Sequence, residues 1–362
     1  MGKQQKIFFD FLRFCISSAK DIPDSLKEAD WKELYAIAKK QCLVGVLFDG
    51  IKKLPAEYVG MKKELLLQWM AESQMLEKAN VRLNDAAIHV SEWFRKKGFR
   101  TCILKGQGNA MMYPNPCSRT PGDIDIWVEG GDKRVISFVR SISPHEKACY
   151  HHIEFPSYKG IEVEVHYRPS FLLCFWHNRK LQKYYERVKE EQFSHRVMLG
   201  KEGEVAIPTA EFNVIFQLTH IFSHLMNEGI GLRQLLDYYF VISMLSVNCE
   251  MLTSLQKELK ELGLWKFAGA IMYIMQEVFG MPASQLIVPP NEKYGKFVQN
   301  EVLEAGNFGR YDARNRFGRS KLGHNLQRVY RDMRLVTYFP AEALCEPIFR
   351  VWHFFWRMKN KK

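Results

Sequence analysis

The stretch LKGQGNAMMYPNPCSRTPGDIDIWV, residues 104–128, carries the pattern that decides the fold of this chain. A short apolar run, FRTCILKG, leads into it and is closed by Gly106, and the segment DIDIWV at 123–128 alternates polar and apolar residues. Both patterns are typical of β-strands. The residues between them, GQGNAMMY at 106–113, predict a short helix. This stretch therefore predicts a strand, a helix and a second strand.

The same order continues downstream. Residues 132–142, DKRVISFVRSI, predict a helix, and residues 161–167, IEVEVHY, alternate as a third strand would. We therefore predict a β-α-β-α-β order and a small mixed sheet.

Helical patterns lie on both sides of this sheet. Asp30 can cap a helix through WKELYAIAKKQCLVGVLFDGI, and Thr209 can cap another through AEFNVIFQLTHIFSHLMNEG. The predicted fold class is α+β, with a small mixed β-sheet core between helical subdomains. Its parts are an N-terminal helical subdomain, the sheet core and a C-terminal helical, basic subdomain, at residues 1–98, 99–208 and 209–362.

Composition is that of a folded protein. Apolar residues make up 47% and aromatic residues 13% of the sequence, which is enough to fill a packed interior. No run reaches the roughly 18 to 20 uncharged apolar residues of a membrane-spanning helix. The eight cysteines are scattered, with no C-x-x-C pair and no ladder of metal-ligand spacing. We therefore expect free thiols in a reducing compartment, and hence a cytoplasmic protein.

Positive charge is concentrated at the C-terminal end. The formal net charge is +12, and from Arg310 onward there are thirteen Lys and Arg residues against four Asp and Glu residues. This predicts an anionic partner at that end. Arginines interleaved with Tyr and Phe at 309–334 fit nucleic-acid or phosphate recognition, although we favour a solvated basic helix face. In FRVWHFFWRMKNKK, at 349–362, aromatic residues fall all round a helix, so we predict a buried closing helix and no membrane contact.

Two aspartates one residue apart form the centre of the candidate site. Side chains alternate along a strand, so Asp123 and Asp125 point the same way, with α-carbons roughly 6.6 to 6.8 Å apart, while Ile124 and Ile126 face the core. Close carboxylates repel each other, and such a pair is usually stabilised by a cation. Oxygen ligands favour Mg²⁺ or Mn²⁺. Glu164 lies on the polar face of the third strand and can supply a third carboxylate if the two strands are neighbours.

Positive groups surround the glycine turn. Gly106 ends the first strand and precedes a helix, where backbone N–H groups and the positive end of the helix dipole suit a phosphate. Arg119 can act as a bidentate phosphate clamp, and Lys105 can either bind phosphate or pair with a carboxylate across the sheet. Two metals roughly 3.5 to 4 Å apart would stabilise the attacking and leaving oxygens of an in-line phosphoryl displacement.

Together these motifs resemble a known family. A strand ending in glycine, a short helix, a strand bearing Asp-x-Asp and a later strand with a third acid resemble the polymerase-β-like nucleotidyltransferase superfamily. The fuller pattern resembles one of its largely uncharacterised bacterial branches, over about residues 30–250. It consists of LKG at 104–106, YP at 113–114, R-x-x-G-D-I-D-I at 119–126, acid-aliphatic-His at 164–166 and L-R-x-L-L-D at 232–237.

The resemblance implies transfer of a nucleoside monophosphate from an NTP, such as ATP, onto the hydroxyl or phosphate of an unidentified acceptor. It implies Mg²⁺ or Mn²⁺ as cofactor and a helical C-terminal part that helps to bind the acceptor. Gln107 stands where the superfamily commonly has Ser or a second Gly that meets the phosphates, and Glu164 stands where it commonly has Asp. The expected metal ligands are Asp123, Asp125 and Glu164, and the expected nucleotide-binding residues are Lys105, Gly106, Gln107 and Arg119.

Five further residues are candidates near the substrate. His166 can act in acid/base chemistry or support the site, and a hydrogen-bonded structural histidine is the interpretation we favour. His220 and His224 have the spacing of two zinc ligands but lack a third, so we expect a packed or substrate-lining pair. Arg233 and Asp237 can form an ordinary helix ion pair or lie on the acceptor side of the cleft.

Two other functions remain open. Asp-x-Asp is also the metal motif of glycosyltransferases that use nucleotide sugars. A nucleotidyltransferase fold can also persist as a catalytically inactive regulatory or nucleic-acid-binding module. The glycine turn, Arg119 and Glu164 that accompany the aspartates favour the nucleotidyltransferase.

Overall fold

The fold is built around a four-stranded mixed sheet that helices surround, which confirms the α+β class. A computed structural model describes residues 2–17, 21–200, 203–246, 248–314, 317 and 321–360. Within these ranges no helix is long and apolar enough to cross a membrane. The basic residues Arg316, Arg319, Lys361 and Lys362 of the C-terminal segment lie outside the described residues.

Four helices precede the sheet: α1 (Lys3–Ile16), α2 (Trp31–Lys40), α3 (Val44–Ile51) and α4 (Lys63–Lys96). Asp30 caps α2 as predicted, because its carboxylate accepts hydrogen bonds from the backbone N–H groups of Lys32 and Glu33. Helix α4 is 34 residues long. Its Trp69 is buried among the N-terminal helices, whereas Phe94 near its other end packs with the sheet. Helix α4 thus joins the two regions.

The sheet consists of β1 (Thr101–Leu104), β2 (Ile124–Val128), β3 (His152–Tyr158) and β4 (Ile161–His166), in the order β1-β2-β4-β3. Strand β2 pairs antiparallel with β1 and parallel with β4, and β3 pairs antiparallel with β4 at the edge. The three predicted strands are β1, β2 and β4. Strand β3 was not predicted, because Pro156 and exposed residues interrupt its alternation.

Two helices connect the strands as predicted, α5 (Gly106–Ala110) and α6 (Gly131–Ile142). The two faces of β2 have different neighbours. Ile124 and Ile126 lie in one hydrophobic cluster with residues of α4 and α6, whereas Trp127 on the other face contacts the rings of Phe193 and Phe212. The aspartates before and within β2 share the face of Trp127.

The remaining elements are mainly helical. Thr209 caps the helix that follows it, as predicted, because its hydroxyl accepts a hydrogen bond from the Phe212 N–H group. In chain order the elements are α7 (Phe175–Ser194), the hairpin of β5 (Arg196–Leu199) and β6 (Gly203–Ala206), α8 (Ala210–Asn227), α9 (Leu232–Ser243), α10 (Cys249–Glu261), α11 (Trp265–Glu277), α12 (Glu292–Ala305), α13 (Lys321–Leu335) and α14 (Pro340–Lys359).

The prediction of a buried closing helix is wrong for one face of α14. Phe349 is buried on its inner face, but Val351, Phe354 and Phe355 on its outer face are exposed. Aromatic residues all round a helix can be buried only if partners cover every side. No described element covers the outer side of α14 at these positions.

Helices α13 and α14 bring two acidic residues together. Burial, followed by the charge of Glu346, raises the pKa of Asp332 to about 7, although Arg350 and Arg331 act in the opposite direction. The stability that this carboxyl group contributes is complete below its ordinary pKa, near pH 4, and is lost as the pH rises through about 7. We expect Asp332→Asn to raise the free energy of unfolding by about 1 to 3 kcal/mol at pH 8.5. Urea denaturation at pH 8.5 and 5.5 checks this, and an equal gain at both pH values would contradict it.

Candidate functional site

The parallel pairing of β2 and β4 brings the candidate acidic residues together. In this register Asp125 lies opposite Glu164, and Asp123 stands just before β2. One carboxylate oxygen from each of the three residues lies within 4.8 Å of the others. The predicted neighbour relation of the two strands is therefore confirmed. Three oxygen ligands at this spacing suit a hard divalent cation such as Mg²⁺ or Mn²⁺.

The surroundings of Asp123 disfavour its ionised form. Among the described residues, no hydrogen bond or ion pair joins its carboxylate to a Lys, Arg or His side chain. The charge of Asp125, followed by burial, raises the pKa of Asp123 to about 6, and Lys105 offsets this only in part. A cation between the carboxylates would reverse the effect, because it favours the ionised form of each. The electrostatics thus fit a bound divalent ion.

Asp125 is buried and contacts two positive groups. Its Oδ1 accepts hydrogen bonds from the Lys105 ammonium at 2.9 Å and from His166 Nε2 at 2.8 Å. Burial raises the pKa of Asp125, but Lys105 and His166 outweigh burial and hold it well below its ordinary value. The sequence left two roles open for Lys105, binding of phosphate and pairing with a carboxylate. The structure shows the pairing, with Asp125. Lys105 Nζ also lies 3.3 Å from His220 Nε2.

His166 connects the acidic residues. Its Nε2 lies 2.8 Å from Asp125 and 3.4 Å from Glu164 Oε2. Burial lowers the pKa of His166, but hydrogen bonds to the two carboxylates raise it to about 9. It is therefore a hydrogen-bonded histidine that positions both carboxylates. Sequence reasoning missed His152, whose Nδ1 lies 3.4 Å from Glu164 Oε2, because it lies on the unpredicted strand β3.

The glycine turn has the conformation that its sequence predicts. The backbone φ is +50° at Lys105 and +38° at Gly106, in the left-handed region that glycine adopts most readily. The expected role of Gln107 needs correction. Its side-chain amide donates to Asn84 Oδ1 on α4 and does not line the cavity described below.

Arg119 is not available as a phosphate clamp, because Asp237 occupies its guanidinium. Nε and Nη2 donate to the two carboxylate oxygens of Asp237, each at 2.8 Å, and Arg119 is only 3% exposed. The hydroxyl of Tyr113 donates to the same carboxylate at 2.6 Å. Asp237 pairs with Arg119 and not with Arg233, so the ordinary helix pair is excluded, although Arg119, Arg233 and Asp237 all line the cavity described below. Residues of the YP, R-x-x-G-D and L-R-x-L-L-D motifs thus meet in one buried network.

Because Asp237 pairs with Arg119, it does not form an ion pair with Arg233. Among the described residues no carboxylate contacts it, and its buried Nε has no hydrogen-bond partner. The guanidinium group lies over the ring of Phe308 at 5.9 Å. Burial, followed by repulsion from Arg119, lowers the pKa of Arg233. Arg233 is half-buried with a buried Nε that lacks a partner, and such cations are normally paired, so Arg233 is a candidate anion-binding group.

One cavity of about 690 Å³ contains the three carboxylates and Arg233. Its volume lies in the range of roughly 300 to 1,000 Å³ that is usual for ligand pockets. Arg310 and Arg328 also line it. His220 and His224 lie in its wall with their Nε2 atoms 3.0 Å apart, and no third ligand joins them within the described part of the chain. The cavity thus combines a carboxylate cluster with a basic rim.

The sheet and its cavity define a class of protein. An Asp-x-Asp strand, a glycine turn before it and an acid on the parallel neighbouring strand are the arrangement of a nucleotidyltransferase. A family model described as "Uncharacterised nucleotidyltransferase" matches residues 27–280, and the chain belongs to this family. Membership confirms the resemblance and implies a nucleotide substrate.

A solved structure gives a weaker likeness. The chain is similar to an antigenic nucleotidyltransferase-like protein from Paracoccidioides brasiliensis, with 14% sequence identity and a TM-score of 0.32. The likeness covers 59% of this chain and 95% of that protein. Among curated proteins, none matches this chain.

Proposed function

We propose that this protein is a divalent-metal-dependent nucleotidyltransferase that transfers a nucleoside monophosphate from an NTP, such as ATP, to an acceptor hydroxyl or phosphate. The observation that carries the proposal is the convergence of Asp123, Asp125 and Glu164 in one cavity beside the turn at Gly106. Family membership supports the same class. Free thiols at all eight cysteines agree with action in the cytoplasm.

Each group in the cavity has a distinct task in this reaction. The three carboxylates would hold Mg²⁺ or Mn²⁺, and the bound ion would supply positive charge for a phosphoryl displacement. His166 fixes the orientation of Asp125 through their 2.8 Å hydrogen bond. The turn at Gly106 lets the backbone approach the phosphates without an intervening Cβ. Arg233 supplies the positive charge that Arg119 cannot supply, because its guanidinium is paired.

The basic rim favours anionic groups at the mouth of the cavity. In the proposed reaction the acceptor oxygen attacks the α-phosphorus of the NTP, and the bond to the β-phosphate breaks, so that pyrophosphate leaves. Arg310 and Arg328 line the cavity together with Arg233, and these three guanidinium groups can bind phosphate or carboxylate groups of a ligand. We therefore propose that the acceptor, like the donor, carries negative charge.

Ligand-induced stabilisation tests the donor. We expect an NTP with Mn²⁺ or Mg²⁺ to stabilise the protein by about 2.7 kcal/mol at about 100-fold the dissociation constant, which raises the melting temperature by a few degrees. Glu164→Gln should remove most of this shift. Glu154→Gln is the matched control, because Glu154 is the exposed cross-strand neighbour of Glu164 and does not line the cavity. Equal stabilisation of both variants would contradict the metal site.

Binding of other ligands separates this function from the two alternatives, a glycosyltransferase and an inactive module. A glycosyltransferase would be stabilised by nucleotide sugars in preference to NTPs. An inactive nucleic-acid-binding module would bind RNA or DNA with a steep salt dependence and would not require the aspartates. Incubation with labelled NTPs and a cell extract, followed by isolation of a labelled product, would then identify the acceptor.

A further inference from the structure

A second cluster of potential metal ligands lies outside the cavity, where α7 and α14 begin. Cys174 immediately precedes α7 and His177 stands in its first turn, while Glu342 stands in the first turn of α14 and Cys345 one turn further on. The two pairs therefore have the spacings C-x-x-H and E-x-x-C. Residues three apart on a helix share a face, so each helix presents two ligands to the other.

Three of the ligand atoms lie close enough together to share one metal ion. One ligand atom from each of Cys174, His177 and Glu342 lies within 4.8 Å of the other two. His177 Nδ1 and Glu342 Oε1 are 3.3 Å apart. Nitrogen and oxygen ligands that are each about 2.1 Å from a tetrahedral zinc ion lie about 3.4 Å apart. The Cys345 thiol adjoins the Cys174 thiol, so it can complete this set of three as a fourth ligand.

Glu342 is already oriented toward this cluster. It is only 4% exposed, and its Oε2 accepts hydrogen bonds from the backbone N–H groups of Leu173 at 2.6 Å and Cys174 at 3.1 Å. These bonds leave Oε1 directed at His177. In the described ranges of the chain no Lys or Arg forms an ion pair with Glu342. Buried carboxylates are normally paired or bound to a metal, and metal-binding carboxylates are themselves held by hydrogen bonds.

We propose that Cys174, His177, Glu342 and Cys345 bind one transition-metal ion of the zinc class. Four protein ligands make this a closed, structural site, since no coordination position is left for a substrate. None of the four residues lines the nucleotide cavity. The inner face of α14, however, supplies Phe349, Arg350 and His353 to the cavity wall. The metal fastens α14 to α7 and thereby holds that wall in place.

Cobalt substitution tests the proposal on the full-length protein. Metal-free protein, prepared under reducing conditions, is titrated with Co²⁺. The expected result is saturation of a thiolate-to-cobalt absorption band in the near ultraviolet, with visible bands of tetrahedral cobalt, at about one equivalent per chain. Zn²⁺ should then displace the cobalt and abolish these bands.

Variants assign the bands to the cluster. The double variant Cys174→Ser, Cys345→Ser should lose the thiolate band and Cys174→Ser alone should reduce it, whereas His177→Ala and Glu342→Gln should weaken cobalt binding while they leave both thiols in place. Cys149→Ser is the matched control, because Cys149 belongs to a separate cysteine–histidine cluster with His151 and His152. Circular dichroism of each variant establishes that it is folded.

Three results would overturn the site: no thiolate band in wild-type protein, a full band in the Cys174→Ser, Cys345→Ser double variant, or a Cys174–Cys345 disulfide in native protein that binds no metal after reduction. Asp123→Asn should retain the band in full. Because the readout is absorption of bound cobalt, it is independent of nucleotide transfer, and either proposal can fail without the other.

Discussion

Asp123→Asn is expected to reduce metal-dependent nucleotide transfer by about 10³-fold or more, because it removes one of three metal ligands where charge develops in the reaction. The same substitution should raise the melting temperature of the protein in a chelator. Asp123 is repelled by Asp125 and Glu164, and no cation contacts it among the described residues, so Asn removes a repulsion without breaking an ion pair. The variant should thus be inactive and more stable.

Opposite changes in activity and stability distinguish a catalytic effect from unfolding. Turnover of labelled NTP is measured with Mg²⁺, and melting temperature is measured with and without the metal. In Mg²⁺ the order of stability should reverse, since only the wild-type protein gains the free energy of metal binding. Unchanged turnover in Asp123→Asn, with Glu154→Gln as the inert control, would reject the three carboxylates as the active site.

The alternation of polar and apolar residues was sufficient to predict the strands at the centre of the fold. The alternation of DIDIWV and IEVEVHY predicts β2 and β4, and once these are neighbours the same alternation places Asp125 beside Glu164. The caps at Asp30 and Thr209 depend on residues within one turn of each helix start, so they too are visible in the sequence. Strand β3 is different: its pairing with β4 keeps it in the sheet although its own alternation is interrupted.

Roles that depend on a distant partner could not be predicted. Arg119 stands four residues before Asp123 and was expected to bind phosphate, but its partner is Asp237, 118 residues away. The four-residue spacing of Arg233 and Asp237 predicted a helix pair, yet the carboxylate faces Arg119 and leaves Arg233 in the cavity. Helical spacing shows which pair can form, but it does not show which competing partner is closer after folding.

The second large expected effect is a loss of stability when the buried ion pair of Arg119 and Asp237 is broken. Asp237→Asn is expected to lower the free energy of unfolding by about 3 to 5 kcal/mol, because it leaves the Arg119 charge buried without its counter-ion. Tyr113 also loses a charged acceptor. The pair holds α9 against the loop that leads into β2, so the loss should weaken nucleotide binding in the fraction that stays folded. Urea denaturation gives the first quantity and thermal shift with NTP the second.

A double substitution separates the charge from the packing. In Arg119→Met with Asp237→Leu neither charge remains, and much of the lost stability should return, since apolar residues of similar size often replace a buried ion pair without loss. Asp24→Asn is the control, because it makes the same chemical change in an exposed pair with Lys27 and should leave unfolding unchanged. If Asp237→Asn were as mild as Asp24→Asn, the network would not position the loop. Arg119 would then be free to turn toward a phosphate, as its place in the sequence suggested.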